Sequence, residues 1–220
     1  TNTSAVALVD ASRSMAYGGA GRAARLDYAR ALAASLLWLA ARQGDRVGVA
    51  TFDSALREFV PPSARHLPQA LYALERARPS GAGELAGPLA RAASHLARRG
   101  IVVVISDLYA EPAAAVEAVR RLRGPGSEVL LFQVLDPDEL EFPFRDPGGF
   151  EDSETGATMT VVPAGVRARY RERVRAHVAE LGRLARAHRV DHALFDTGQP
   201  LDRALFRYLA GRERLARGGR

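Results

Sequence analysis

The chain has 220 residues, 47% hydrophobic and 25% charged, ordinary values for one globular domain with a real core. It contains no cysteine and no lysine, and all 31 basic residues are arginine. Disulfides, thiolate metal sites, cysteine nucleophiles and every mechanism that requires a lysine are therefore excluded. No apolar run is long enough to span a bilayer.

The net charge of +6 is unevenly spread. Residues 136–154 carry a net −7, and residues 164–220 a net +8 from fourteen arginines and six acids. The first apolar run begins within a few residues of Thr1. We read this as a fragment whose preceding part would hold a membrane anchor or another domain, with the chain itself in the cytoplasm.

In chain order, residues 6–9 form a buried strand that runs into Asp10-x-Ser12-x-Ser14. A helix over 22–43 follows, with Leu26, Ala29, Ala33, Leu36, Leu37 and Ala40 on one stripe and Gly44 at its end. Strands are expected over 46–52 and 56–60, the second stopped by Pro61-Pro62, and helices over 64–77 and 85–98. The β-branched run 101–106, ending at Asp107, reads as a central strand covered on both faces. A helix at 112–123 and a strand at 128–135 come next. Pro137, Pro143 and Pro147, Gly148-Gly149 and the turn Glu154-Thr155-Gly156 mark 136–163 as an inserted hairpin or loop. A long helix over 165–189 has Val166, Tyr170, Val174, Val178, Leu181 and Ala185 as its stripe. A strand at 191–196 and a short helix at 201–210 complete the domain over 1–210, and 211–220 is expected to be a frayed tail. Strands alternating with helices at this spacing predict an α/β fold, doubly wound on a mostly parallel sheet with helices on both faces.

Ligands of such sheets bind at the carboxyl ends of the strands, and Asp10 and Asp107 both fall there. In an extended segment alternate side chains share a face, so Asp10, Ser12 and Ser14 converge. Hard oxygen ligands with room for water suit Mg²⁺ better than Zn²⁺. The competing reading of the triplet is a polar turn that caps the next segment. Asp45 and Asp53 read as turn formers, and the five histidines (66, 95, 177, 188 and 192) show no ligand spacing with one another.

The chain resembles the von Willebrand factor A-like domains, in which D-x-S-x-S, a loop threonine and a later aspartate form a metal-ion-dependent adhesion site. It is most similar to the bacterial domain-of-unknown-function family fifty-eight, whose members accompany MoxR-type ATPases. The stretches that carry this are G-D-R-V-G-V-A-T-F-D (44–53), I-V-V-V-I-S-D-L (101–108), V-L-D-P-D-E-L-E-F-P-F (134–144) and D-S-E-T-G (152–156). The resemblance implies a Rossmann-like fold and a Mg²⁺ site on Asp10, Ser12, Ser14 and Asp107. It also implies a protein partner that offers an acidic side chain, with a MoxR-type AAA+ ATPase as the candidate. The usual threonine position is Gly83, so one oxygen ligand is missing; Glu84, a water or the more distant Ser80 would have to replace it. Metal binding is expected to be weakened accordingly.

Enzymatic readings fit poorly. Phosphoryl-accepting aspartates of the haloacid-dehalogenase or receiver type usually work beside a lysine, and Ser12 stands where a phosphatase has its second aspartate. No G-x-S-x-G elbow is present. A binding module without catalytic residues is the expectation. Its rival is a nucleic-acid or acidic-surface binder that uses the arginines of 165–189 and the tail, which few aromatics for base stacking disfavour. A Mg²⁺-dependent phosphatase comes third.

Overall fold

The computed structural model describes residues 3–96, 99–152 and 155–218. Its first half contains β1 (Ser4–Asp10), α1 (Arg25–Arg42), β2 (Arg46–Phe52), β3 (Leu56–Ser63), α2 (Leu67–Arg76), α3 (Ala86–Ala93) and β4 (Gly100–Ser106). Its second half contains α4 (Pro112–Arg120), β5 (Ser127–Leu135), α5 (Pro137–Glu141), β6 (Gly148–Glu151), β7 (Thr158–Val161), α6 (Pro163–Ala187), β8 (Asp191–Asp196) and α7 (Leu201–Gly218).

The main sheet has the order β3-β2-β1-β4-β5-β8, parallel throughout except for antiparallel β3. This is the α/β, mostly parallel, doubly wound architecture expected from the sequence. The two-residue period of the strands divides the core into two layers. Ala7 and Val9, Val103 and Ile105, and Phe132 and Val134 face α1, α2 and α7. Val6 and Leu8, Val102 and Val104, and Val129 and Leu131 face α3, α4 and α6. Because β1 lies between β2 and β4, the chain leaves it in opposite directions, and the crevice at the carboxyl ends of β1 and β4 is the switch point of the sheet.

Several local expectations are corrected. Pro61 and Pro62 do not stop β3, which continues to Ser63. The pairing of β2 with β3 shifts register between Val47 and Val49, and both prolines fall in that bulge, opposite Gly48. An edge strand with a bulge tolerates two missing N–H groups. Helix α3 ends at Ala93, earlier than predicted, and the rest of the predicted segment includes 97–98, outside the described residues. Val166 is exposed and does not belong to the α6 stripe, whereas Val174, Leu181 and Ala185 are buried. The tail is helical: α7 runs to Gly218, and Arg212 bonds Glu128 at 2.6 Å.

The inserted segment holds a two-stranded hairpin, β6 and β7, together with the unpredicted five-residue helix α5. Phe142, Phe144, Phe150 and Tyr170 pack ring to ring, with centroids 4.6–5.5 Å apart, and fasten the hairpin to α6. Each such pair is worth about 1 kcal/mol beyond its burial. Phe150→Ala is therefore expected to release the hairpin locally, seen as faster proteolysis within it and a nearly unchanged global unfolding midpoint.

Candidate functional site

Asp10 ends β1, and both of its carboxylate oxygens are held. One accepts from the Ser12 N–H at 2.8 Å, and the other from the Ser106 hydroxyl at 2.6 Å. The Ser12 hydroxyl lies 3.0 Å from that of Ser14, both on the 3-10 turn that follows. Ser106 also accepts from the Leu108 N–H at 3.1 Å, which fixes the turn after β4 with Leu108 at φ 56°, an uncommon conformation for a bulky side chain. Asp107 is 4% exposed, and its Oδ2 is buried without a hydrogen bond.

Asp10, Ser14, Asp107 and Gly83 line one cleft of about 340 Å³, together with Ser106, Tyr109 and Asp152 from the hairpin. Burial, and then the neighbouring Asp107 charge, push the Asp10 carboxyl up to about 6, against the pull of the Ser106 and Ser12 hydrogen bonds. Two carboxylates so placed, one with an oxygen that makes no hydrogen bond, and the Ser14 hydroxyl are a donor set that suits a hard divalent cation, whereas Ser12 is fully buried and does not line the cleft. Gly83 offers that set no side-chain oxygen. Among the described residues no three acidic or histidine side chains form a metal cluster.

The substitutes proposed for the missing oxygen are engaged elsewhere. Glu84 accepts from the Gly87 N–H at 3.3 Å, at the start of α3. Ser80 donates its hydroxyl to Asp53 at 2.7 Å, and Asp53 also accepts from the Ala55 N–H and pairs with Arg57, as a turn former should. The 79–83 loop nevertheless abuts the triplet, through Ser80 N–H to the Ala11 carbonyl and Arg13 N–H to the Gly81 carbonyl. His66, His177 and His192 each contact a separate carbonyl or amide oxygen.

Three residues behind the cleft escaped sequence reasoning. Arg25, 2% exposed, bonds Glu139 at 2.6 Å and the Ser14 carbonyl, and its nearest nitrogen lies 3.3 Å from Asp107 Oδ2. Glu139 also accepts from the Tyr109 hydroxyl at 2.8 Å and, through its other oxygen, from the Asp136 N–H. Asp136 is fully buried; it caps α5 and takes hydrogen bonds from Arg22, Gly19 and Thr197. The one local signal was D-P-D-E at 136–139, the pattern of a helix N-terminus whose first and fourth residues reciprocate hydrogen bonds.

On α6, Arg167 is turned to the carbonyls of Phe142 and Phe144, Arg171 to Glu141 and Arg183 to Glu180. The contacts of Arg167 turn one guanidinium of this helix inward, whereas the Arg171 and Arg183 pairs stay at the surface.

The fold is von Willebrand factor A-like. The chain belongs to the family described as protein of unknown function DUF58, whose model matches residues 2–180. An uncharacterized protein of Mycobacterium tuberculosis is 28% identical over 221 residues, covering 96% of this chain and 68% of that one. Among solved structures, an aerotolerance-related membrane protein of Bacteroides fragilis superposes with a TM-score of 0.62 at 18% identity, over 92% of this chain and 96% of that one. BatB of Bacteroides thetaiotaomicron gives 0.58 at 16%, over 89% and 91%. The SpRpn10 VWA domain gives 0.57 at 9%, over 93% and 94%. At these identities the likeness concerns the fold. No described helix is long and apolar enough to cross a membrane.

Proposed function

We propose that this chain is a protein-interaction module that works at the switch-point cleft, where Ser12, Ser14, Asp10 and Asp107 hold Mg²⁺ for an acidic side chain of a partner protein. The observation that supports this is the buried Asp107 Oδ2, which makes no hydrogen bond and lines one open cleft with the buried Asp10 carboxylate and the Ser14 hydroxyl. Ser12 lies behind that lining, its hydroxyl 3.0 Å from that of Ser14. When bound, the ion supplies a Lewis-acidic point that a carboxylate can occupy. The protein's own share is placement: Ser106 and the Ser12 N–H orient Asp10, and the 3-10 turn orients the two hydroxyls. Gly83 makes this a weaker site than one with a threonine there. The resemblance to family fifty-eight supports a MoxR-type AAA+ ATPase as the partner. The name of the Bacteroides fragilis neighbour supports a place at a membrane.

The test is capture of a purified MoxR-type ATPase in Mg²⁺, in EDTA and with Asp10→Ala. Capture is expected only for the wild type in Mg²⁺. Binding unchanged by both EDTA and Asp10→Ala would overturn the metal bridge. A steep loss with salt that ignores the chelator would instead point to the arginine surface.

A further inference from the structure

The guanidinium of Arg25 occupies a place that elementary electrostatics disfavours. It is the first residue of α1, where the partial positive charge of the helix terminus repels a cation, and Ala24 provides no side-chain cap. It is buried as well, and a buried charge persists only when paired. Its firm partners are Glu139 at 2.6 Å and the Ser14 carbonyl, and the rings of Tyr17 and Tyr109 lie 5.7 and 5.6 Å from its central carbon. Its second carboxylate is different. Asp107 Oδ2 stands 3.3 Å away, within ion-pair range, yet makes no hydrogen bond to it.

We infer that Arg25 is a tethered counter-cation: it competes with a bound divalent ion for Asp107 and thereby sets how tightly the cleft holds that ion. The inference rests on the cation-binding cleft proposed above. Without an ion, the guanidinium offsets the Asp107 charge beside Asp10. With an ion on Asp107, two like charges stand close together in a low-dielectric setting, which opposes binding. Glu139 divides the guanidinium between the two states. It holds Arg25 away from full hydrogen bonding with Asp107 and leaves that oxygen available. Arg25 also touches the carbonyl of Ser14, whose hydroxyl belongs to the donor set, so it senses the cup from two sides. Arg25 and Glu139 are thus positioning residues for ion affinity.

The experiment is calorimetric titration of the 220-residue chain with Mn²⁺ and Mg²⁺, with far-UV circular dichroism to verify folding. R25Q and R25M, which remove the charge, are expected to tighten binding about tenfold or more, the usual effect of one neighbouring charge on an ionic equilibrium. R25K keeps the charge and should stay within about threefold of the wild type on the same reasoning. E139Q retains an acceptor oxygen for Arg25 and should weaken binding, and this effect should vanish in the R25Q background. A purely structural role predicts weaker binding in R25Q, R25M and R25K alike, and that result overturns the inference. If neither charge-removing variant folds, E139Q decides, because unchanged affinity there also overturns it. Wild-type binding with no gain in R25Q refutes the role of Arg25 and leaves the cleft standing. No binding in the wild type, R25Q or R25M refutes both.

Discussion

Asp10→Asn is expected to stabilise the metal-free protein by about 3 kcal/mol at pH 8 while abolishing Mg²⁺-dependent partner capture. The buried Asp10 carboxyl titrates near 6 instead of the ordinary 3.8, because burial and Asp107 both disfavour its charge. A carboxyl raised on folding binds its proton more tightly in the native state. Its contribution is therefore most favourable below the unfolded value of 3.8 and is lost as the pH rises through about 6. The metal-free wild type should gain stability on acidification from pH 8 to pH 5, and Asn, which carries no charge, should show a flatter profile. Asn also keeps an acceptor oxygen for the Ser12 N–H and turns its amide toward the Ser106 hydroxyl. Urea unfolding at the two pH values measures both effects, and an Asn variant less stable than the wild type at pH 8 contradicts this account. Saturating Mg²⁺ should reverse the order, because it stabilises only the protein that binds it. Ion affinity should also decline below about pH 6, where protons compete for Asp10.

Asp136→Ala should have the opposite sign, with a loss of about 3–5 kcal/mol. Burial alone would raise this carboxyl. Only together do the hydrogen bonds from Arg22, from the Asp138 and Gly19 N–H groups and from the Thr197 hydroxyl outweigh it, and they hold the carboxyl down at about 2. Alanine leaves three donors without their acceptor and Arg22 with Asp138 as its remaining carboxylate, in a place where three chain segments meet: the loop before α1, the cap of α5 and the turn after β8. Asp136→Asn, which preserves the shape and loses the charge, should cost less. A depressed carboxyl gives stability that is fully present above 3.8 and lost as the pH falls toward 2, so the wild type should show an acid transition in that window that the alanine variant lacks. Thermal unfolding from pH 2 to pH 7 checks this, and parallel profiles for the two proteins would refute it. Asp10 and Asp136 thus pull the acid response of one domain in opposite directions.

What could be read from the sequence follows from the range over which physical rules act. The positions of Asp10 and Asp107 at the carboxyl ends of neighbouring strands were legible because the switch-point rule needs only the order of elements. Strand alternation did not place Ser12 and Ser14, because the strand ends at Asp10 and the chain turns into a 3-10 helix. Arg25 was not legible. Its meaning comes from Glu139, 114 residues away, and by periodicity it is merely the first residue of a helix. Asp136 showed itself only within an acidic, proline-containing stretch that carries the family resemblance, and its partners Gly19, Arg22 and Thr197, which come from both ends of the chain, were not legible. Val166 satisfied the helical period of α6 but lies where the core no longer reaches, and sequence spacing carries no information about where a neighbour ends. The loss of polar competence at Gly83 was visible at once, since a missing side chain needs no fold to interpret it.

The two prolines of β3 bear on how this protein survives at high concentration. Every other strand of the main sheet except β8 is flanked on both sides, so β3 is one of its two open margins. An open margin with a full row of N–H donors invites another chain to zip onto it, the first step toward fibrils and runaway self-association. Pro61 and Pro62 leave β3 short of two N–H donors, and the accompanying bulge bends the strand out of line. The margin at β3 is thereby made a poor template for the protein's own copies.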